Sequence, residues 1–202
     1  KTLAIKQPAA FTNGPFGSDL LTCELQQEGV PVIYIRDLNV GGYRRASPSH
    51  VTPEKALQLD KFRVDERDIL IAKVGNPPGF CCTYPVGEPP GIICQDVIRM
   101  KPDLKKISPD FLCFLLNSEP GIEAIDSVCV ELTRKRFSLA DLHSLRLAIP
   151  PRKEQDEIAE FLVCESGKFD ALASEAQRAI DLLQERRTAL ISAAVTGRID
   201  VR

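Results

Sequence analysis

Pro150-Pro151-Arg152-Lys153-Glu154-Gln155-Asp156-Glu157-Ile158 divides the chain into two kinds of sequence. A double proline neither extends a strand ladder nor sits inside a helix, so it closes whatever precedes it. From Glu154 to Val195 there is no further proline and a single glycine, Gly167. At alternating steps of four and three the residues are Ile158, Leu162, Glu165, Phe169, Leu172, Ala176, Ala179, Leu183, Arg186, Leu190 and Ala193. All but Glu165 and Arg186 are apolar, which is a heptad seam. Glu154, Asp156 and Glu157 suit the positive end of a helix, and Gly197 suits its C-terminal cap. About 42 residues at ~1.5 Å each give a helix about 63 Å long. A small domain alone does not bury so long a stripe, so the helix is expected to pack along another helix.

Upstream, residues 1–151 read as a mixed α/β (α+β) domain, with 152–202 as a separate long-helix region. Val30-Pro31-Val32-Ile33-Tyr34-Ile35 and Ile69-Leu70-Ile71-Ala72-Lys73-Val74 are strand-like runs. A third strand is expected within Gly91–Met100, and a fourth over Leu145–Ile149. Thr52-Pro53 and Ser108-Pro109 each offer an N-cap followed by proline at the first helical position. Ser138-Leu139-Ala140-Asp141 has capping-box spacing. Stretches 11–18, 39–53 and 75–91 are Gly/Pro-rich and read as loops, where binding residues tend to sit.

Composition narrows the function. Of 202 residues 44% are hydrophobic, enough for a packed core. No apolar run approaches the ~20 residues of a membrane span, and Lys1–Ala10 lacks the long apolar stretch of a signal peptide. The chain begins without Met, which fits a processed chain or a fragment. Seven cysteines, none in a CxxC pair, suit a reducing compartment, so cytoplasm is the expected location. Cys81-Cys82 reads as part of a buried strand. A formal net charge of −2 argues against non-specific coating of nucleic acid but leaves room for local basic loops. A partner is then expected to supply part of any grip on phosphates.

Four segments in order resemble the specificity (S) subunit of type I restriction–modification enzymes. They are Gly14-Pro15-Phe16-Gly17-Ser18 with Gly29–Leu38; Asp68–Gly75; Phe137–Ile158 through the double proline; and Glu185–Ile191 leading into Ala194–Arg202. Together they span nearly the whole chain. The departure is length, since an S subunit resembles two such units in tandem; this chain reads as its C-terminal half or as a half-sized subunit that dimerises. The resemblance implies a target-recognition domain followed by a conserved helix. Each such domain would read half of a bipartite target in double-stranded DNA through the major groove. Two long helices would pair as an antiparallel coiled coil, making a homodimer or pseudo-dimer. Modification (methyltransferase) subunits carrying the methyl donor would dock around them, and a restriction subunit would join through the complex. The chain itself would be non-catalytic and hold neither cofactor nor metal.

The residues expected to touch DNA are Arg36, Tyr43, Arg44, Arg45, Lys73, Arg134, Lys135 and Arg136. Thr133-Arg134-Lys135-Arg136 is the densest basic run; it contacts phosphates or base edges, or else forms a solvated turn before Ser138. Arg44-Arg45 beside Gly41-Gly42-Tyr43 carries the same two readings. Tyr43 stacks on sugar or base, or pins its loop. Lys73 and Arg36 stand at strand ends. Asn13 reads adenine or shapes a turn, with the turn favoured. Asn76-Pro77-Pro78-Gly79-Phe80 is superficially similar to the Asn-Pro-Pro-aromatic motif of amino-methyltransferases, but Gly79 displaces the aromatic and no glycine-rich methyl-donor loop follows a strand. A loop is the better reading. His50 and His143 lack metal-ligand spacing, and no G-x-S-x-G occurs.

On the helix, layers whose numbers sum to 348 would put Leu172 opposite a partner's Ala176, Phe169 opposite Ala179, Glu165 opposite Leu183 and Leu162 opposite Arg186. Large residues then face small ones, and Glu165 and a partner's Arg186 fall in adjacent layers, where a charge pair would set register. The alternative is that both charges lean to the rim. Two competing functions remain: a protein-only scaffold dimerising through its helix, and a small methyltransferase.

Overall fold

The computed structural model describes residues 2–4, 9–39, 41–75, 77–130 and 135–199. Asn76, Thr133, Arg134 and the terminal Asp200-Val201-Arg202 lie outside the described residues. Strands β1 (Thr2–Ala4) and β2 (Ala9–Asn13) come first. β3 (Val30–Ile33), β4 (Leu38–Asn39), β5 (Gly42–Tyr43) and β6 (His50–Val51) lead to helix α1 (Pro53–Gln58). β7 (Arg63–Val64), β8 (Ile69–Ala72), β9 (Cys81–Thr83), β10 (Gly91–Ile93) and β11 (Val97–Pro102) follow. Helices α2 (Pro109–Asn117), α3 (Glu119–Asp126) and α4 (Leu139–Ser144), strand β12 (Arg146–Ala148) and helix α5 (Arg152–Val195) complete the order.

One four-stranded sheet, β2-β11-β8-β9, is antiparallel throughout. A second, β6-β3-β10-β7, is mixed, with β3 and β10 parallel. β1 pairs with β12, and β4 with β5. The fold is thus α+β with a long C-terminal helix, as expected. The run Ile69-Leu70-Ile71-Ala72 is apolar at every position because the first sheet is covered on both faces. Ile69 and Ile71 point into a cluster with Leu112, Leu116, Ile125, Leu142 and Ala159. Leu70 and Ala72 point into the other cluster, with Val32, Ile33, Ile92 and Ile93 of the second sheet. Cys81 and Cys82 divide in the same way and are both buried. A fully buried Ile or Leu contributes about 1.5–3 kcal/mol, so β8 anchors two cores at once.

Local chemistry explains the departures from the sequence reading. The expected Val30–Ile35 strand stops at Ile33, because Ile35–Asp37 wind into a 3-10 turn held by the Asp37 carboxylate, which accepts from Tyr34 N–H at 2.7 Å. The expected Ile69–Val74 strand ends at Ala72. Gly91–Met100 contains two strands in different sheets, parted by a turn at Cys94–Asp96. The fourth expected strand shortens to Arg146–Ala148. The presumed loops contain β5, β6 and β9, strands too short to display a period. Helix α3 was not anticipated; α2 starts at Pro109, but the Ser108 side chain makes no cap bond. The Thr52 cap does form, accepting from Lys55 N–H at 3.1 Å. So does the reciprocal Ser138–Asp141 box, at 3.2 and 2.7 Å.

The chain divides into units 1–159 and 160–202. The first two turns of α5 belong to the first unit. There Gln155 is 1% exposed: its carbonyl accepts from Ser108 N–H, and its amide donates to the Lys106 and Pro150 carbonyls, all at 2.9 Å. Ile158 packs against the same core as Ala159. Arg152 pairs with Asp156 and donates to the Leu104 carbonyl. In the second unit α5 continues to Val195; Gly197 takes a left-handed φ of 68°, and Arg198 N–H closes onto the Ala193 carbonyl at 2.8 Å. Among the described residues no helix is long and apolar enough to cross a membrane.

Candidate nucleic-acid interface

Register places several loops at one end of the first sheet. Asn13 pairs with Ile98 and Ala72 with Val97, so the C-terminal ends of β2 and β8 adjoin the start of β11. β10 enters β11 through Cys94–Asp96, and β3 runs parallel to β10, so β3 ends there too. Backbone bonds tie these loops together. Gly14 N–H donates to the Val97 carbonyl (3.1 Å), Lys73 N–H to Asp96 (2.9 Å) and Cys94 N–H to Ile33 (2.9 Å).

Arg36, Lys73 and Arg136 fall at this end, and Arg44 and Arg45 lie on the segment held by Asp37 after β3. Arg36 follows β3, is exposed, donates from Nε to Ser47 Oγ at 2.7 Å, and lies over the Tyr34 ring at 5.1 Å. Beside it, Asp37 is fully buried: its carboxylate accepts from Ala46 and Ser47 N–H at 2.8 Å, and its carbonyl accepts from Arg44 N–H at 2.8 Å. That scaffold presents Arg44 and Arg45, both exposed. Lys73 follows β8 and is half-buried. The next residue, Val74, forms a bridge with Arg136, which is exposed. Backbone bonds thus tie Arg44 to Asp37 and Lys73 to Asp96, the bridge ties Arg136 to Val74, and the Cys94–Asp96 turn bonds to both Ile33 and Lys73.

The remaining candidates are placed differently. Tyr43 packs edge-on against Tyr84, ring centroids 4.8 Å apart, within the second core, the pinning arrangement. Burial pushes its hydroxyl pKa well up, and that of Tyr84 up to about 12. Lys135 pairs with Asp126 at 2.7 Å. Arg134 is outside the described residues. Gly79 sits at φ 86° where a Cβ would meet Ile125, and Phe80 joins the second core, so this part of the Asn-Pro-Pro segment is a packed turn. The helix candidates from Leu162 to Leu190 remain exposed or half-exposed, and Glu165 pairs with Lys168 of its own helix at 2.6 Å.

Two residues are not singled out by the sequence reading. Gln155 looks like a solvated helix polar group; its one signal is that it shares a helical face with Ala159 and Leu162. Phe16 lies in the 11–18 stretch read as a loop and is 80% exposed after β2; the loop is legible in sequence, the exposed ring is not.

Among the described residues no group of three His, Cys, Asp or Glu is placed to hold a metal ion. Burial raises the Cys82 thiol pKa to about 12 and that of Cys94 to about 11, which suits structural thiols rather than nucleophiles.

The architecture is a mixed two-sheet domain with basic residues on its loops, followed in the chain by a long helix. The chain belongs to the type I restriction modification DNA specificity domain family, whose match covers residues 18–164. It is 27% identical over 199 residues to the type I restriction enzyme EcoBI specificity subunit of Escherichia coli, covering 98% of this chain and 39% of that protein. The chain therefore spans about two fifths of that curated relative's length. Among solved structures, a chain from a type I R-M system superposes with a TM-score of 0.73 at 16% identity, covering 96% of this chain and 45% of that one. The HsdS subunit from Thermoanaerobacter tengcongensis gives 0.58 at 14% identity, covering 85% and 38%. The type I S subunit from M. genitalium gives 0.58 at 18% identity, covering 86% and 41%. At such identities the structures attest the fold.

Proposed function

We propose that this chain is one reading module of a type I restriction–modification specificity subunit, binding half of a bipartite duplex target through the loops that follow β2, β3, β8 and β10. What supports the reading is that Arg36, Lys73 and Arg136 stand on or beside loops at one end of the first sheet of a family-matched domain, with Arg44 and Arg45 on the exposed segment that Asp37 holds after β3. Lys135 and Arg134 flank that edge in sequence. Residues 1–151 supply recognition and 152–202 the spacer. The exposed stripe of α5 packs antiparallel along a second long helix, from another copy or from a second half of a longer subunit. Phe169 and Leu172, each more than 60% exposed, are the centre of that seam. Modification subunits dock around the pair and carry the methyl donor, and a restriction subunit joins through them. The chain contributes no catalytic group and works where thiols stay reduced, in the cytoplasm.

The test is selection from a randomised duplex pool by gel shift, with and without a modification subunit, repeated for Arg44→Ala, Lys73→Ala and Arg136→Ala. A phosphate contact lowers the salt slope by about 0.9 per charge removed, whereas a base contact changes the selected sequence. Selection of no duplex by the wild-type chain, alone or with the modification subunit, overturns the reading in favour of a protein-only scaffold.

A further inference from the structure

The loop after β2 carries an aromatic ring in an unusual place. Phe16 is 80% exposed, the most exposed aromatic among the described residues, although burying a Phe side chain is normally favourable by about 1.5–3 kcal/mol. The loop beneath it is tightly held. Gly14 lies so close to the Cys94–Gln95 backbone that an added Cβ would come within 1.8 Å of the Cys94 carbonyl oxygen. Pro15 is buried, Phe16 N–H donates to the Asp19 carboxylate at 3.1 Å, and Asp19 N–H donates back to the Phe16 carbonyl at 2.9 Å. The ring is therefore presented on a constrained backbone. Its neighbours through Gly14 and Val97 are the Cys94–Asp96 turn and Lys73, the middle of the cationic edge.

We infer that Phe16 is an apolar base contact of this module, an aromatic ring carried on a held backbone beside the basic loops. The inference rests on the DNA reading proposed above. A cation that touches phosphate brings the duplex in without reading it; an uncharged ring adds nothing to phosphate binding and gains only where it meets the apolar parts of bases. Two such targets exist: the thymine methyl in the major groove, and a base step opened by a wedge. A held loop favours this role, because an exposed aromatic on a slack loop would lose much of the gain to ordering.

The test uses the full chain and the duplex it selects from the randomised pool. Phe16→Ala should bind that duplex about tenfold more weakly, in line with measured aromatic–base contacts, with the salt slope and thermal midpoint unchanged. Phe16→Trp should retain most of the affinity. Replacing each thymine by uracil in turn identifies a methyl contact, as a position whose loss is not additive with Phe16→Ala. A 2-aminopurine scan identifies a wedge, as a fluorescence rise on binding that Phe16→Ala abolishes. If Phe16→Ala binds within twofold of wild type and selects the same sequence, the inference is overturned; so it is if that variant loses only the modification subunit. If the wild-type chain selects no duplex at all, the reading itself falls and this contact with it, which separates the two failures.

Discussion

Replacing Gln155 by leucine isolates the device that ties the start of α5 into the first unit. The substitution nearly conserves volume and removes three hydrogen bonds, from Ser108 N–H and to the carbonyls of Lys106 and Pro150, each 2.9 Å long. A neutral hydrogen bond is worth about 1 kcal/mol net, and a buried donor left without an acceptor costs about 1–3 kcal/mol. Ser108 is 5% exposed, so its N–H has little access to replacement water. The two carbonyls are cheaper to strand than an N–H, and the leucine recovers about 1 kcal/mol of apolar burial. The expected net loss is about 3 kcal/mol, a large part of the ~5–15 kcal/mol that holds a domain together. The assay is urea unfolding followed by tyrosine fluorescence, since Tyr34, Tyr43 and Tyr84 all lie in the first unit and the chain has no tryptophan. With a slope of about 2–3 kcal/mol/M the midpoint should fall by about 1 M. Gln155→Glu supplies the discriminating arm. Its carboxylate still accepts from Ser108 but faces two carbonyl oxygens without a donor, so burial raises its folded-state pKa. The folded state then binds the extra proton, and this variant gains stability as pH falls through that raised value, opposite to an ordinary paired carboxylate. A Gln155→Leu loss below about 0.5 kcal/mol would refute the claim that the amide, rather than its bulk, secures the helix start.

The seam of α5 makes its own prediction. Glu165→Lys or Arg186→Glu alone should weaken self-association several-fold, and the double reversal should restore it, as read by sedimentation; exposed pairs worth ~0.2–1 kcal/mol, counted twice in a symmetric dimer, set that scale. Absence of rescue would mean that both charges sit at the rim. At the N-terminus of α4, hydrogen bonds from the Ser138 side chain and backbone hold the Asp141 carboxyl below the usual aspartate range. A lowered folded-state pKa contributes stability above the unfolded value of about 3.9 and loses it as pH falls through the folded value. Asp141→Ala should therefore be less stable than wild type at neutral pH, by about 1 kcal/mol for the lost hydrogen bond from Ser138 N–H, and the gap should close in acid unfolding experiments below about pH 4.

The legible parts of the fold were those where a local rule faced no tertiary competitor. The proline-free heptad after Pro150-Pro151, the Thr52 and Ser138 caps and the doubly buried Ile69–Ala72 run all follow from spacing or residue type alone. Gly91–Met100 does contain the expected strand and the start of a further one; Cys94-Gln95-Asp96 carries no proline or glycine to announce the turn, and the break comes from β10 and β11 belonging to different sheets. The site was legible as residue types and not as a place. Val74 and Arg136 are brought together by a bridge across more than sixty residues, and Arg36 joins them only because β3 pairs parallel to β10, which no local spacing encodes.

That placement also bears on the small net charge of −2. One acidic group beside these loops is turned to structural work: the Asp37 carboxylate takes three backbone N–H groups while fully buried. Backbone donors partly neutralise such a carboxylate, so the guanidinium groups outside it face solvent with less opposing charge than composition suggests. If the proposed cations are the DNA contacts, they would neutralise only a handful of phosphates, each contact steepening the salt dependence by about one unit. A reader so built would hold duplex weakly by itself and gain affinity from whatever encloses the other side of the DNA. The affinity increment on adding a modification subunit should therefore exceed the loss caused by any single arginine substitution at this edge.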